Sequence, residues 1–206
     1  QVLTIVNGVP QWADCACLPL SGVLSIQPTS NPFEGAILTN NPTTFGNGSD
    51  QLLMEDWTIF GNEFTVRQLI KFDFGTTLTG KTVDSARLYL YVDSTPNNGD
   101  MISPHAGSAN ACYIQRITSN WITYNQYTWN NQPTTTTTDQ AIIPQSSTAF
   151  DDNIIDVTAL IKDLQTFGNN GIMIRLQNEQ LYNLRQYESS FSTRTTKRPK
   201  LIIYYH

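Results

Sequence analysis

Apolar and polar residues alternate with a period of two along much of this chain. In "SARLYLYV", Ala86, Leu88, Leu90 and Val92 fall on one side and Arg87, Tyr89 and Tyr91 on the other. "VRQLIKFDF" sets Gln68, Ile70, Phe72 and Phe74 against Arg67, Leu69, Lys71 and Asp73. "NACYIQRI", "NIIDV", "GIMIRLQ" and "PKLIIYY" continue the series, separated by Asn, Pro and Gly turn signals. Such alternation marks strands with one buried and one wet face, and many short strands between turns predict an all-β, antiparallel, jelly-roll-like β-sandwich.

One segment follows a different period. "DVTALIKDLQTFGNNG" places Val157, Leu160, Ile161, Leu164 and Phe167 at helical spacing. This predicts a single short α-helix, with Asp156 as N-cap and Gly168 as the stop. Residues 1–30 are apolar without a long period, and Asn7-Gly8, Pro10 and Pro19 punctuate them. They read as an extended or hairpin-like connector ahead of a sandwich spanning residues 31–206. In "NWITYNQYTWNNQPTTTTTDQ", four aromatic residues lie within nine positions and run into five threonines. Rings beside amides suit either a sugar platform or a packed loop.

At 206 residues the chain can bury a self-sufficient core. Only 14% of residues are charged, with Thr, Asn and Ser taking up the polar positions, a pattern that suits extracellular β-proteins. No run of apolar residues is long enough to span a membrane. The net charge of −5 argues against a general nucleic-acid binder. That charge is uneven: from Gly171 onward six basic residues face two acidic ones. Gln1 reads as the residue after a cleavage or at an excised boundary.

No nucleophile elbow, zinc-binding helix motif, phosphate loop or dinucleotide fingerprint occurs, so the chain reads as non-catalytic. Two oxygen-rich loops, "DSTPNNGD" with Asp93 and Asp100 and "FDDN" with Asp151 and Asp152, are candidates for a structural Ca²⁺; turn formation explains them equally. No other cofactor is expected. Cys15, Cys17 and Cys112 leave one thiol over: the first two stand too close to bridge each other, and either could pair with Cys112. For a glycan, the exposed strand faces offer Arg87, Tyr89 and Tyr91, with Arg67 and Lys71 on a neighbouring strand and Arg185 and Tyr187 on another. Tyrosine rings can stack on pyranose faces, and arginine forks fit carboxylates.

The ordered set "VRQLIKFDF", "DSARLYLYV", "NWITYNQYTWNNQP", "IIDVTALIKDL", "NNGIMIRL" and "RPKLIIYY" resembles the DNRLRE domain family, which overlaps carbohydrate-binding module family 96, over roughly residues 31–205. The run that names the family is matched only loosely, in "YNLRQYESS". The resemblance implies a β-sandwich in a secreted or surface protein that binds polysaccharide, in some members acidic algal polysaccharide, as an adhesion module. It also implies an architectural role for the "TWNNQP" loop: Trp121 and Trp129 buried, Asn130 and Asn131 bonding local backbone, Pro133 ending the turn, and the threonines opening a partly exposed excursion. The opening "QVLTIVNGVPQW" is similar to phrases in the shafts of bacterial and bacteriophage fibres. That similarity implies self-association through residues 1–30, as a trimer or filament, at a cell or virion surface.

Overall fold

The computed structural model describes residues 2–6, 9–13, 21–94 and 103–206, with backbone alone for 2–6 and 11–13. Its strands are β1 (Val2–Val6), β2 (Val9–Ala13), β3 (Gly22–Ile26), β4 (Glu34–Leu38), β5 (Asn41–Asn47), β6 (Gln51–Ile59), β7 (Asn62–Ile70) and β8 (Val83–Leu90). There follow β9 (His105–Ala106), β10 (Cys112–Ile117), β11 (Thr135–Ile143), β12 (Asn153–Asp156), helix α1 (Thr158–Phe167), β13 (Ile172–Leu176), β14 (Asn183–Glu188) and β15 (Lys200–Tyr205).

These strands build two facing sheets, every pairing antiparallel. The larger runs β11-β10-β13-β7-β6-β14-β9, with β4 on β7 and β5 on β4. The smaller runs β12-β8-β15-β3. The expected β-sandwich is thus present, with its single short helix. β1 and β2 pair as a hairpin in a sheet of their own. β3 lies within the segment read as connector, yet it pairs with β15, Gly22 opposite Tyr205. The sandwich therefore takes in chain upstream of residue 31.

Alternation works as expected in the smaller sheet. Ala86, Leu88, Leu90, Ile155, Leu201 and Ile203 point into the main core. Leu160, Ile161 and Leu164 of α1 join that core at helical spacing. The N-cap position is Val157, one residue later than the sequence suggested. Asp156 still serves this end of the helix, its Oδ1 accepting the Thr158 N–H at 2.9 Å. Gly168 ends α1 with φ near 100°, where a side chain would be strained.

The larger sheet departs from the expectation of one wet face. Ile70, Ile172 and Ile174 enter the main core, while Leu69 and Met173 point the opposite way. There they meet Ile37, Ile117, Phe45, Trp121 and Tyr127 in a second core. The aromatic loop is its roof. Trp121 stands edge-on to Phe33 at 5.4 Å and to Phe45 at 6.0 Å. Tyr127 donates its hydroxyl to Asn120 O at 2.8 Å. Gly171 permits this close cover, since a Cβ there would lie 2.8 Å from Ile70 O and 3.2 Å from the Trp121 ring.

The threonine run is not an excursion. It leads into β11, the edge strand on β10, where β-branched side chains fit a pleated surface. Cys112 is a free, fully buried thiol whose Sγ donates to Asn110 O at 3.6 Å. Burial pushes that thiol up to about 12, so it is inert. Its suggested partners, Cys15 and Cys17, lie outside the described residues. Among the described residues no helix is long and apolar enough to cross a membrane.

Removing the roof exposes a test of the second core. Trp121→Ala is expected to cost about 3–5 kcal/mol of unfolding free energy, the usual range for a large aromatic deleted from a packed interior. Urea denaturation of the two proteins measures it.

Candidate functional site

Among the described residues nothing covers the outer face of the smaller sheet, and strand register arranges its side chains in rows. Ile154, Tyr89 and Lys200 form one row. Asp156, Arg87, Ile202 and Ser25 form the next. Ser85, Tyr204 and Val23 form the third. Ile154 is 59% exposed, Val23 56% and Tyr204 45%, so apolar and aromatic surface lies open to water along three strands. Each of these residues faces outward because its strand neighbours, Ile155, Leu24 and Ile203, are drawn into the main core.

Cations overlie the rings. Lys200 Nζ stands 4.8 Å from the Tyr89 ring centroid and 6.0 Å from that of Tyr91. Lys197 Nζ stands 4.9 Å from the Tyr91 ring and 3.4 Å from Asp152. Arg87 is exposed beside Asp156, whose carboxyl is held below the usual range by hydrogen bonds from Thr158 and secondarily by Arg87. The face thus combines three cations with tyrosine rings on a rigid support. It can stack on a flat apolar surface and attract an anion in the same contact.

Of the ligand candidates, Arg87, Tyr89 and Tyr91 lie together here, and the others do not: Lys71 follows the end of β7, its Nζ donating to Trp121 O at 3.3 Å. Arg67 sits on the larger sheet, gripping Glu179 with Nε and Nη2 at 2.7 and 2.6 Å and Gln132 Oε1 with Nη1 at 2.7 Å. Its guanidinium lies 4.8 Å over the Trp129 ring, so it pins the aromatic loop. Arg185 and Tyr187 are completely buried between the sheets, which corrects their expected place on an exposed face. Both donate to Asn153 Oδ1, at 2.6 and 2.5 Å. Every residue of β14 is buried, so polarity there did not mark the wet side. Tyr204 and Ile154 were not among the candidates, and Lys197 and Lys200 entered only within the basic stretch from Gly171 onward. The alternation in "KLIIYY" carried the signal for Lys200 and Tyr204.

The loop residues depart from the architectural reading at two places, Trp129 and Asn130. Trp121 and Pro133 are buried, whereas Trp129 is only half-buried beneath Arg67. The Asn130 N–H reaches across to Pro42 O at 2.9 Å, and the Asn131 amide donates to Gln126 O at 3.1 Å. A family model for carbohydrate-binding module family 96 matches residues 36–205, nearly the whole sandwich. The chain belongs to carbohydrate-binding module family 96. No curated protein matches it.

Three of the four carboxylates of this family 96 module that were weighed for Ca²⁺ are engaged otherwise. Asp93 is buried and pairs with Arg194 at 2.8 Å. Asp151 accepts the N–H and hydroxyl groups of Ser147 and Thr148, which hold its carboxyl far below the ordinary range. Asp152 accepts the Val92 N–H at 2.8 Å. Asp100 lies outside the described residues. Among the described residues, no three His, Cys, Asp or Glu side chains are placed to hold a metal. His105 is buried, with Nδ1 and Nε2 each 2.9 Å from a carbonyl oxygen, those of Pro104 and Asp151. Burial, then the Arg185 charge, pushes its pKa down.

Two buried glutamates of the module titrate near neutrality. Burial raises Glu34 to about 7 against opposing hydrogen bonds from Ser190, and raises Glu55 to about 7 with help from Asp56. Both titrate nearer 4.5 once unfolded, so the folded state holds more protons between those limits. Their stabilising contribution is complete below about pH 4.5 and disappears as pH rises through about 7. Unfolding free energy is therefore expected to fall between about pH 5 and pH 8, by on the order of 1–3 kcal/mol for each group. Glu34→Gln and Glu55→Gln should each flatten that slope in denaturation curves recorded across the range.

Proposed function

We propose that this family 96 module is a non-catalytic, extracellular adhesion module that binds polysaccharide across the outer face of its four-stranded sheet and prefers an acidic chain. The observation that carries the reading is the grouping of the Tyr89 and Tyr91 rings with Lys200 and Lys197. An extended polysaccharide presents pyranose faces in a line with carboxylates or sulfates at its edges. Rings bind the former and ammonium groups the latter. Arg87 adds a bidentate carboxylate partner in the next row. Polyuronates are the natural first probe.

Affinity electrophoresis in gels containing a polyuronate or a neutral glucan tests this. Retardation is expected in the polyuronate gel, weakening with added salt. Tyr89→Ala and Lys200→Ala should each weaken binding by about tenfold, or 1.4 kcal/mol, at unchanged stability. Equal migration in every gel, with and without polysaccharide, would sink the reading. Release of reducing or unsaturated ends from those polysaccharides would overturn its non-catalytic part.

A second role, as the tip or structural unit of an extracellular fibre, is favoured by the β1–β2 hairpin, which pairs apart from both sandwich sheets. In that role the hairpin joins copies into a trimer or filament. Light scattering would compare the full chain with one lacking residues 1–20, a cut that spares β3. A monomer in both cases removes this role and leaves the glycan reading standing.

A further inference from the structure

We propose that the module carries a second carbohydrate site, a trench on the flank of the sandwich that takes an uncharged polysaccharide chain. Two clefts meet at Lys71 and Asp73, just beyond the end of β7. One, of about 450 Å³, runs past Pro28, Pro32 and Phe33 in the segment from β3 to β4. The other, of about 520 Å³, runs past Phe74, Leu78 and Leu164 to the turn that ends α1. Each has the size of a small-ligand site, and joined end to end they suit an extended chain.

The lining decides the ligand class. Among the described residues, Lys71 and Asp73 bring the only charges to either cleft, one of each sign. An anionic chain gains no net attraction there, whereas on the four-stranded sheet Arg87, Lys197 and Lys200 outnumber Asp152 and Asp156. Lys71 makes no ion pair among the described residues; its Nζ donates to Trp121 O at 3.3 Å and lies 5.2 Å over the Phe33 ring. It therefore keeps donor capacity for hydroxyl oxygens. Asp73 is exposed and spends one carboxylate oxygen on the Gly75 N–H at 2.8 Å.

The walls are preorganised. Asn31 donates to Lys71 O at 2.9 Å and accepts the Phe33 N–H at 3.0 Å. Gln165 donates to Leu78 O and Lys81 O at 2.7 and 2.8 Å, and Asn169 donates to Phe72 O at 2.5 Å. Three amides fixed by backbone bonds, the half-buried Phe33 ring and a compensated charge pair match a polyol with hydrophobic ring faces. Fixed walls also reduce the ordering cost of binding.

Amide chemical-shift mapping of the full chain tests the assignment, using cellohexaose, xylohexaose, mannohexaose and a hexauronate as separate probes. At least one neutral hexaose should shift the amides of Lys71, Gly75, Thr79 and Asn169. Thr79→Trp, which fills the trench from an exposed position, should weaken that binding tenfold or more, and Tyr89→Ala should leave it unchanged. Silence of all three neutral hexaoses overturns the proposal, as does a neutral hexaose that shifts only the four-stranded sheet. Hexauronate shifts in the trench, or full neutral affinity in Thr79→Trp, overturn it as well. Hexauronate shifts at Tyr89 and Lys200 report on the sheet face alone, so the two readings fail separately.

Discussion

Strands β7 and β13 carry apolar side chains on both faces, and the rest of the molecule is arranged around that constraint. Ile70 and Ile172 need one cover, Leu69 and Met173 another. The smaller sheet and α1 supply the first, and the aromatic loop around Trp121 supplies the second. Apolar surface left wet on such a scale would cost roughly 25 cal/mol for each Å². With both faces of the larger sheet spoken for at its centre, the open sheet face is the outer side of β12-β8-β15-β3. The position of the candidate site thus follows from packing before any sugar is considered.

The same constraint explains what was legible in the sequence. "SARLYLYV" is a half-buried strand with water on one side, so polarity reports direction and Arg87, Tyr89 and Tyr91 were placed correctly. "NLRQYE" of β14 is buried on both sides, and its polar residues answer to buried partners instead of water. Period-two reading has no purchase on such a strand, which is why Arg185 and Tyr187 were misplaced. Arg67 failed for a related reason. Its strand face is roofed by the Trp129 loop, which also supplies Gln132, 65 residues on, and its Glu179 partner lies 112 residues on. The cap of α1 was displaced by one residue because Asp156 completes β12 before the helix begins.

Family membership and site chemistry agree on carbohydrate while resting on different residues. The motifs that identify the family, "TWNNQP" and the flanking strands, build the second core and its roof. The rings and cations of the open face lie outside both cores. A scaffold of this kind fixes geometry through one set of side chains and leaves ligand choice to another. The charge distribution adds to this: the chain is acidic overall, yet on one side Arg87, Lys197 and Lys200 outnumber Asp152 and Asp156. Local field, not net charge, governs what approaches that side.

The pairing of β3 with β15 sets Gly22 opposite Tyr205. The first and last strands of the sandwich are neighbours running in opposite directions, so chain enters and leaves at one corner. A module built this way can be spliced into a loop of a host protein without prising the loop apart. In a tandem array it hangs from the main axis as a pendant, because its two attachment points coincide instead of standing at opposite poles. Tension along such an array bypasses the sandwich interior and loads the β3–β15 seam alone, as a zip is opened from one end.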